Sequence, residues 1–242
     1  MFETYLIQPI YNVFVYLIGI MPNGDVGLAI IALTLIVRAI FYPAFASNIR
    51  TQIGMQAIQG DMDDINTTYK DNPTERSRRT MELLRKNKVR PFSSILALVI
   101  QLPILFALYQ AFFKEGLPNI ATRLLYHFVE APKMVNMEFF GLIQLGNSHN
   151  IVLAVVVAGL QYGVMWFSVA RVKSTTKTTP EKEVAQRTQQ QLMLYFLPGL
   201  MGVIAYSFPA AAGLYFAVSN LVSLGQEWII RRKYQPISLS KN

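Results

Sequence analysis

Apolar and polar stretches alternate along this chain in blocks longer than a soluble domain uses. Residues 26–45, 92–113, 150–169, 192–206 and 209–229 are nearly unbroken apolar runs, and each predicts a membrane-spanning helix. The last two come from one block running from Leu192 to Ile230. As a single helix that block would be ~58 Å long, about twice a hydrocarbon core. Ser207-Phe208-Pro209 predicts the break, because proline has no backbone donor and disfavours helix in the residue before it. Polar segments separate the runs. Residues 48–90 hold apolar residues at helical spacing in two blocks: Ile53, Ala57, Met62, Ile65 and Tyr69, then Met81, Leu83 and Leu84. Asp71-Asn72-Pro73-Thr74 divides the blocks, with Thr74 a candidate helix cap. The pattern predicts a helical hairpin in water at the membrane face; a solvated loop of mixed charge is the plainer alternative. Residues 114–150 carry few charges and short apolar patches, and are expected along the surface.

Residues 1–25 form an outer segment and a breaker. Tyr5 to Ile20 would make a helix only ~24 Å long, short for a span. It has no Lys or Arg, and Gln8 and Asn12 lie four apart on one face. An interfacial helix on the outer surface is expected, with a sixth short span as the alternative. Pro22-Asn23-Gly24-Asp25 then breaks the chain.

Composition narrows the class. Of 242 residues, 52% are hydrophobic and only 15% charged, far below the roughly 25% charged residues of a soluble domain. The chain reads as an all-α polytopic membrane protein. It has no cysteine, so disulfides and thiolate metal sites are excluded. The net charge of +8 informs mainly through its distribution. Residues 48–90 hold nine Lys and Arg, the polar loop 171–191 holds five, and the tail 231–242 holds four. Only Lys114, Arg123 and Lys133 fall on the other side. The positive-inside rule then places the hairpin, the second loop and the tail in the cytoplasm, with the N-terminus outside.

One cation remains, Arg38, inside the first run, GLAIIALTLIVRAIFYPAF. A charge at mid-bilayer costs roughly 2.5–3.5 kcal/mol on insertion scales, so it normally faces protein or water. Helix rise puts Arg38 ~18 Å below the outer face, Gln161 and Asn220 ~16 Å below it, and Gln101 ~13 Å above the inner one. In a core about 30 Å thick these four share one layer, with Thr34 one turn outward of Arg38. A wet, positive pocket open to the cytoplasm follows from that shared depth. Each residue also has a plain structural role: Gln and Asn as interhelical glue, Arg38 snorkelling to the interface, Thr34 bonding a carbonyl.

The chain carries no enzyme constellation. The spans hold no Asp or Glu between their ends, and His127 and His149 lack ligand or triad spacing. There is no P-loop and no Gly-rich dinucleotide fingerprint. No cofactor, metal or sequence-specific nucleic acid is expected.

Several stretches resemble a known family. They are IVRAIFYP (36–43), IQLPILFALYQAF from Ile100, LMLYFLPGLMGVIAYSFPAAAGLYFAVSNLVSLGQEW (192–228) and YKDNPTERSRRTMELLRKNKVRP (69–91). In order and spacing the chain resembles a YidC-type membrane protein insertase of the Oxa superfamily, over roughly Gly27 to Tyr234. The resemblance implies five core spans around an aqueous groove open to the cytoplasm and the lipid, in a bacterial cell membrane, without energy-consuming chemistry. It maps the groove arginine onto Arg38, and the glutamine of a Gln-x-Pro motif onto Gln101. It implies nascent membrane proteins and the lipid bilayer as partners, with the ribosome and the Sec translocon as further candidates. The chain departs from the family at Ser93-Ser94-Ile95-Leu96, where a Gly-Cys-Leu-Pro-like start to the span is common, and at Gly60, where proline is common. Its basic tail is short, and residues 1–25 have neither a lipid-anchor cysteine nor a large outer domain. Two other readings use the same residues: a small anion channel or transporter with Arg38 as the selectivity charge, and a membrane-anchored interaction protein with inert spans.

Overall fold

The structure, a computed structural model, describes residues 3–90, 93–169, 188 and 190–233. It is mostly helical: α1 Gln8–Ile20, α2 Val26–Ile40, α3 Tyr42–Ala57, α4 Gln59–Thr68, α5 Pro73–Lys86, α6 Ser93–Tyr109, α7 Ile151–Val169, α8 Leu197–Ser207 and α9 Ala210–Lys233. Single π-helical turns precede α1 and α8 and follow α6. A two-stranded hairpin, β1 Glu138–Phe139 and β2 Ile143–Gln144, lies in the connection between α6 and α7. Among the described residues one helix alone is long and apolar enough to cross a membrane, over Ile151–Ser168. The polar loop predicted over 171–191, apart from 188, 190 and 191, lies outside the described residues, as does the tail beyond Lys233.

The run 26–45 is not one straight helix. Asp25 starts α2 by accepting the Leu28 N–H at 2.9 Å. The helix stops at Ile40, and α3 leaves at 71°. Pro43 explains the corner: it has no N–H and its ring would meet the carbonyl four residues back, but it fits the first turn of a new helix. The distance from Arg38 to the end of the run therefore does not continue along the α2 axis. A similar corner falls at Phe208, which is extended between α8 and α9.

Buried side chains explain how the helices assemble. The largest cluster joins Tyr11, Phe14, Val15 and Ile18 of α1 to Ala29, Ile30 and Leu33 of α2, Ile104 and Leu108 of α6, and Leu214 and Tyr215 of α9. So α1 is no lone helix on a surface: one face is core, while Val13, Tyr16 and Ile20 remain exposed. The polar pair noted in the sequence docks a loop onto it. Asn12 Nδ2 and Gln8 Nε2 both donate to the Leu124 carbonyl, at 2.8 and 3.0 Å. Asn12 Oδ1 accepts the Tyr126 N–H at 2.7 Å, and Tyr11 Oη accepts the Ala121 N–H at 3.0 Å. Asn12→Leu leaves the part-buried Tyr126 N–H without its acceptor, and should cost about 1–3 kcal/mol. Thermal unfolding in detergent checks this, and Gln8→Ala should shift the midpoint far less because Asn12 still serves Leu124.

The rest of 114–150 closes that end of the bundle. Val26 N–H donates to Asn136 O and Asn136 N–H to Gly24 O, at 3.0 and 2.9 Å. The Phe139 ring lies on Gly27 so closely that any Cβ there would overlap it. The first free donors of α9 are also taken: Ala210 N–H by Asn147 O at 2.8 Å, and Ala211 N–H by Leu145 O at 3.0 Å. Glu115 accepts from Gln110 Nε2 at 2.8 Å and from Arg123 Nη1 and Nη2 at 2.8 and 2.6 Å. The Arg123 hydrogen bonds hold the Glu115 carboxyl below the usual glutamate range.

At the opposite end α3 crosses the foot of α9, where Ala46, Ile49 and Ile53 bury Ile230. Beyond it α4 and α5 pack together, with Ile58, Leu84 and Val89 buried between them. The cap of α5 is Asn72, which accepts the Glu75 N–H at 3.1 Å, and not Thr74. Pro73, with φ already set for a first helical turn, begins the helix two residues earlier than a Thr74 cap would.

Candidate functional site

Arg38 occupies the last turn of α2, just before the corner. A cation suits the carbonyl end of a helix, and the bend brings Phe45 of α3 back beneath it. The guanidinium carbon sits 4.2 Å from the Phe45 ring centre, a cation–π contact. Nη2 donates to the Ser219 carbonyl at 3.0 Å and to Ser219 Oγ at 2.7 Å. Nη1 donates to Gln226 Oε1 at 3.3 Å. All these partners are neutral. Ser219, Ser223 and Gln226 recur at i, i+4 and i+7, so α9 turns one polar stripe towards α2.

Beside this arginine lies a cavity of about 290 Å³ bounded by α2, α3, α6, α7 and α9. Its polar wall is Arg38, Asn48, Gln52, Gln101, Ser168, Ser223 and Glu227; Phe45, Ile49, Val164 and Met165 complete it. Glu227 is only 3% exposed and is paired with Arg231 at 2.8 Å. The cavity is thus polar but not dry of charge, and wide enough for several waters or an extended peptide segment.

The structure brings together two of the five candidate residues, the four that share a depth and Thr34. Arg38 and Gln101 both line the cavity. Thr34 is buried one turn away, and its hydroxyl is spent on the Ile30 carbonyl of its own helix at 2.7 Å. Gln161 is half-buried on α7, one turn from Met165 on the same stripe and outside the cavity wall. Asn220 lies on the stripe of α9 that carries Ala217, packed with Val157, and Leu224, which faces Gly163. Its Nδ2 is buried without a hydrogen-bond partner among the described residues. The Tyr215 hydroxyl is buried beside Ser219 and Gln101, with neither in hydrogen-bonding geometry. Sequence reasoning passed over Ser219, Gln226 and Glu227. The i, i+4, i+7 polar stripe was the available signal for the first two, and Glu227 fell at a predicted span end.

The sequence model of the family described as 60Kd inner membrane protein matches residues 18–237. The chain belongs to this family. A relative from Oceanobacillus iheyensis, named membrane protein insertase YidC, is 30% identical over 234 residues, covering 95% of this chain and 83% of that protein. One of the same name from Herminiimonas arsenicoxydans is 26% identical over 230 residues, 95% of this chain and 37% of that protein. Another, from Francisella tularensis subsp. novicida, is 31% identical over 212 residues, 88% of this chain and 33% of that protein. The chain therefore spans most of the first relative and about a third of the other two. Membership makes it a membrane protein, which agrees with its apolar helices. The Arg38 cavity lies wholly within the matched residues.

Proposed function

We propose that this chain is a membrane protein insertase, and that the cavity beside Arg38 is the groove that receives the hydrophilic tail of a nascent membrane protein. Five spans carry it in a bacterial cell membrane, with the N-terminus outside and α3, α4 and α5 in the cytoplasm. The single observation that carries this reading is a half-buried arginine, bonded among the described residues to neutral groups, on the wall of a polar cavity shared by five helices.

The physics is that of lowering a desolvation barrier. A polar tail crossing bare lipid loses its hydrogen bonds to water, at several kcal/mol per unpaired group. Gln52, Gln101, Asn48 and Ser223 offer replacement partners across part of that distance. Arg38 attracts an acidic tail, more strongly than it would in bulk water because the surroundings are less polarisable. The membrane potential draws the negative tail outward, and the following apolar segment leaves sideways into lipid, driven by its own burial. At the other end Val26, Ala29, Ile30 and the loop over α1 form a closed apolar core. That closure speaks for a groove that is open at one end and against a through-channel. No step consumes a cofactor. The α4–α5 pair carries Arg76, Arg78, Arg79, Arg85 and Lys86 on α5, and in this reading it meets substrates, the ribosome or the translocon at the cytoplasmic face.

The test supplies the wild-type chain to bacterial cells depleted of their own insertase. Small membrane proteins with acidic outer tails are then followed by protease accessibility. Restored insertion is expected; no insertion above the depleted background overturns the reading.

A further inference from the structure

The proposed groove holds a buried carboxylate as well as its arginine. Glu227 Oε1 accepts from Arg231 Nη2 at 2.8 Å and Nε at 3.0 Å, and from Ser168 Oγ at 3.1 Å. Both partners of the ion pair are nearly enclosed, with side chains 10% and 3% exposed. Ser168 Oγ also lies 3.2 Å from Gln52 Oε1. One hydroxyl proton cannot serve both acceptors; with the Gln52 amide turned over, its NH₂ donates to Ser168 while Ser168 donates to Glu227. The carboxylate is thereby held against α7 and towards the end of α9.

Arg38 and Glu227 line the same cavity, and Arg38 already bonds the residue next to Glu227. Opposite charges in such a space attract, and a buried carboxylate without its partner must find another cation. Among the described residues Arg38 is the cation on that wall. If Glu227 turned to it, the groove would lose the charge that draws acidic tails. We propose that Arg231 keeps the groove positive by holding the Glu227 carboxylate, which makes Arg231 a positioning residue that sets the preference for acidic substrates. Pairing at i, i+4 on one helix is a local contact that needs no partner from elsewhere. Among the described residues of the wall it leaves the net charge of Arg38. This inference rests on the insertase reading and adds a residue to it that does not touch substrate.

The experiment uses the full chain in proteoliposomes with two model substrates that differ only in the tail, one acidic and one with the acids replaced by serine. Arg231→Gln should lower insertion of the acidic-tail substrate about tenfold, the order of one unit charge cancelled across the cavity, and leave the neutral-tail substrate unchanged. Glu227→Gln in that background should restore the acidic-tail substrate. Arg231→Lys should retain it, and Glu227→Gln alone should raise it above wild type, because the Arg231 charge beside the cavity is then uncompensated. Equal loss on both tails assigns Arg231 a structural role and overturns the inference. So does no loss, no recovery in the double variant, or no rise in acidic-tail insertion with Glu227→Gln alone. If Arg231→Gln does not fold, the Lys and Glu227→Gln arms still decide. Failure of the wild-type chain on both substrates would count against the insertase reading itself.

Discussion

Arg38→Ala should abolish most insertion of acidic-tail substrates while leaving a folded protein. The fold has little to lose at this position. The partners of Arg38 are the Ser219 carbonyl and hydroxyl and the Gln226 amide, all beside a polar cavity where water can replace the guanidinium. The function loses the one charge on that wall without a carboxylate partner. A drop of about ten- to a hundredfold is expected, the range for removing a unit charge from a site of intermediate dielectric. Arg38→Lys should fall between. An ammonium keeps the charge, but cannot fork between Ser219 and Gln226, which are two turns apart on α9. Substrates with neutral tails should depend on Arg38 much less. Protease protection of each substrate in cells, with Arg38 variant levels matched, makes the comparison. Wild-type insertion of acidic tails by Arg38→Ala would remove the electrostatic part of the mechanism.

Much of this was legible before any coordinates, and what was not has identifiable causes. Long apolar runs with few charges signalled a helical membrane protein, and ordered stretches such as IVRAIFYP signalled the family. Depth in a helix follows from residue count alone, so Arg38 and Gln101 could be placed near one level. Direction around the helix does not follow so directly. Ser219 and Asn220 share a depth but differ by about 100° in direction, and the arginine takes Ser219 while Asn220 faces α7. Thr34 shows a different limit, since a hydroxyl that bonds its own helix leaves no trace in the sequence. The corner at Phe41 was readable in Pro43, yet a proline inside an apolar run is also tolerated in a continuous helix, as Pro103 is within α6. The Phe139 ring on Gly27 joins positions far apart in the chain, and neither residue announces the other. Glu227 was discounted as a span end, although burial and Arg231 draw it onto the cavity wall.

The central claim is that water reaches the polar cavity beside Arg38 from one side of the membrane only. The chain has no cysteine, so a single one placed at Ser223, on the cavity wall, reports without background. Ser223 gives up little, since its hydroxyl bonds only the Ser219 carbonyl of its own helix at 2.9 Å. A thiol must be hydrated to form the reactive thiolate, so a charged, membrane-impermeant maleimide reads water access directly. Tyr11, at the closed apolar end and fully buried, supplies the unreactive comparison as Tyr11→Cys. The account predicts that Ser223→Cys is modified rapidly in inside-out vesicles and hardly at all in right-side-out cells. Modification from both sides, or from neither until the protein is unfolded, would contradict it.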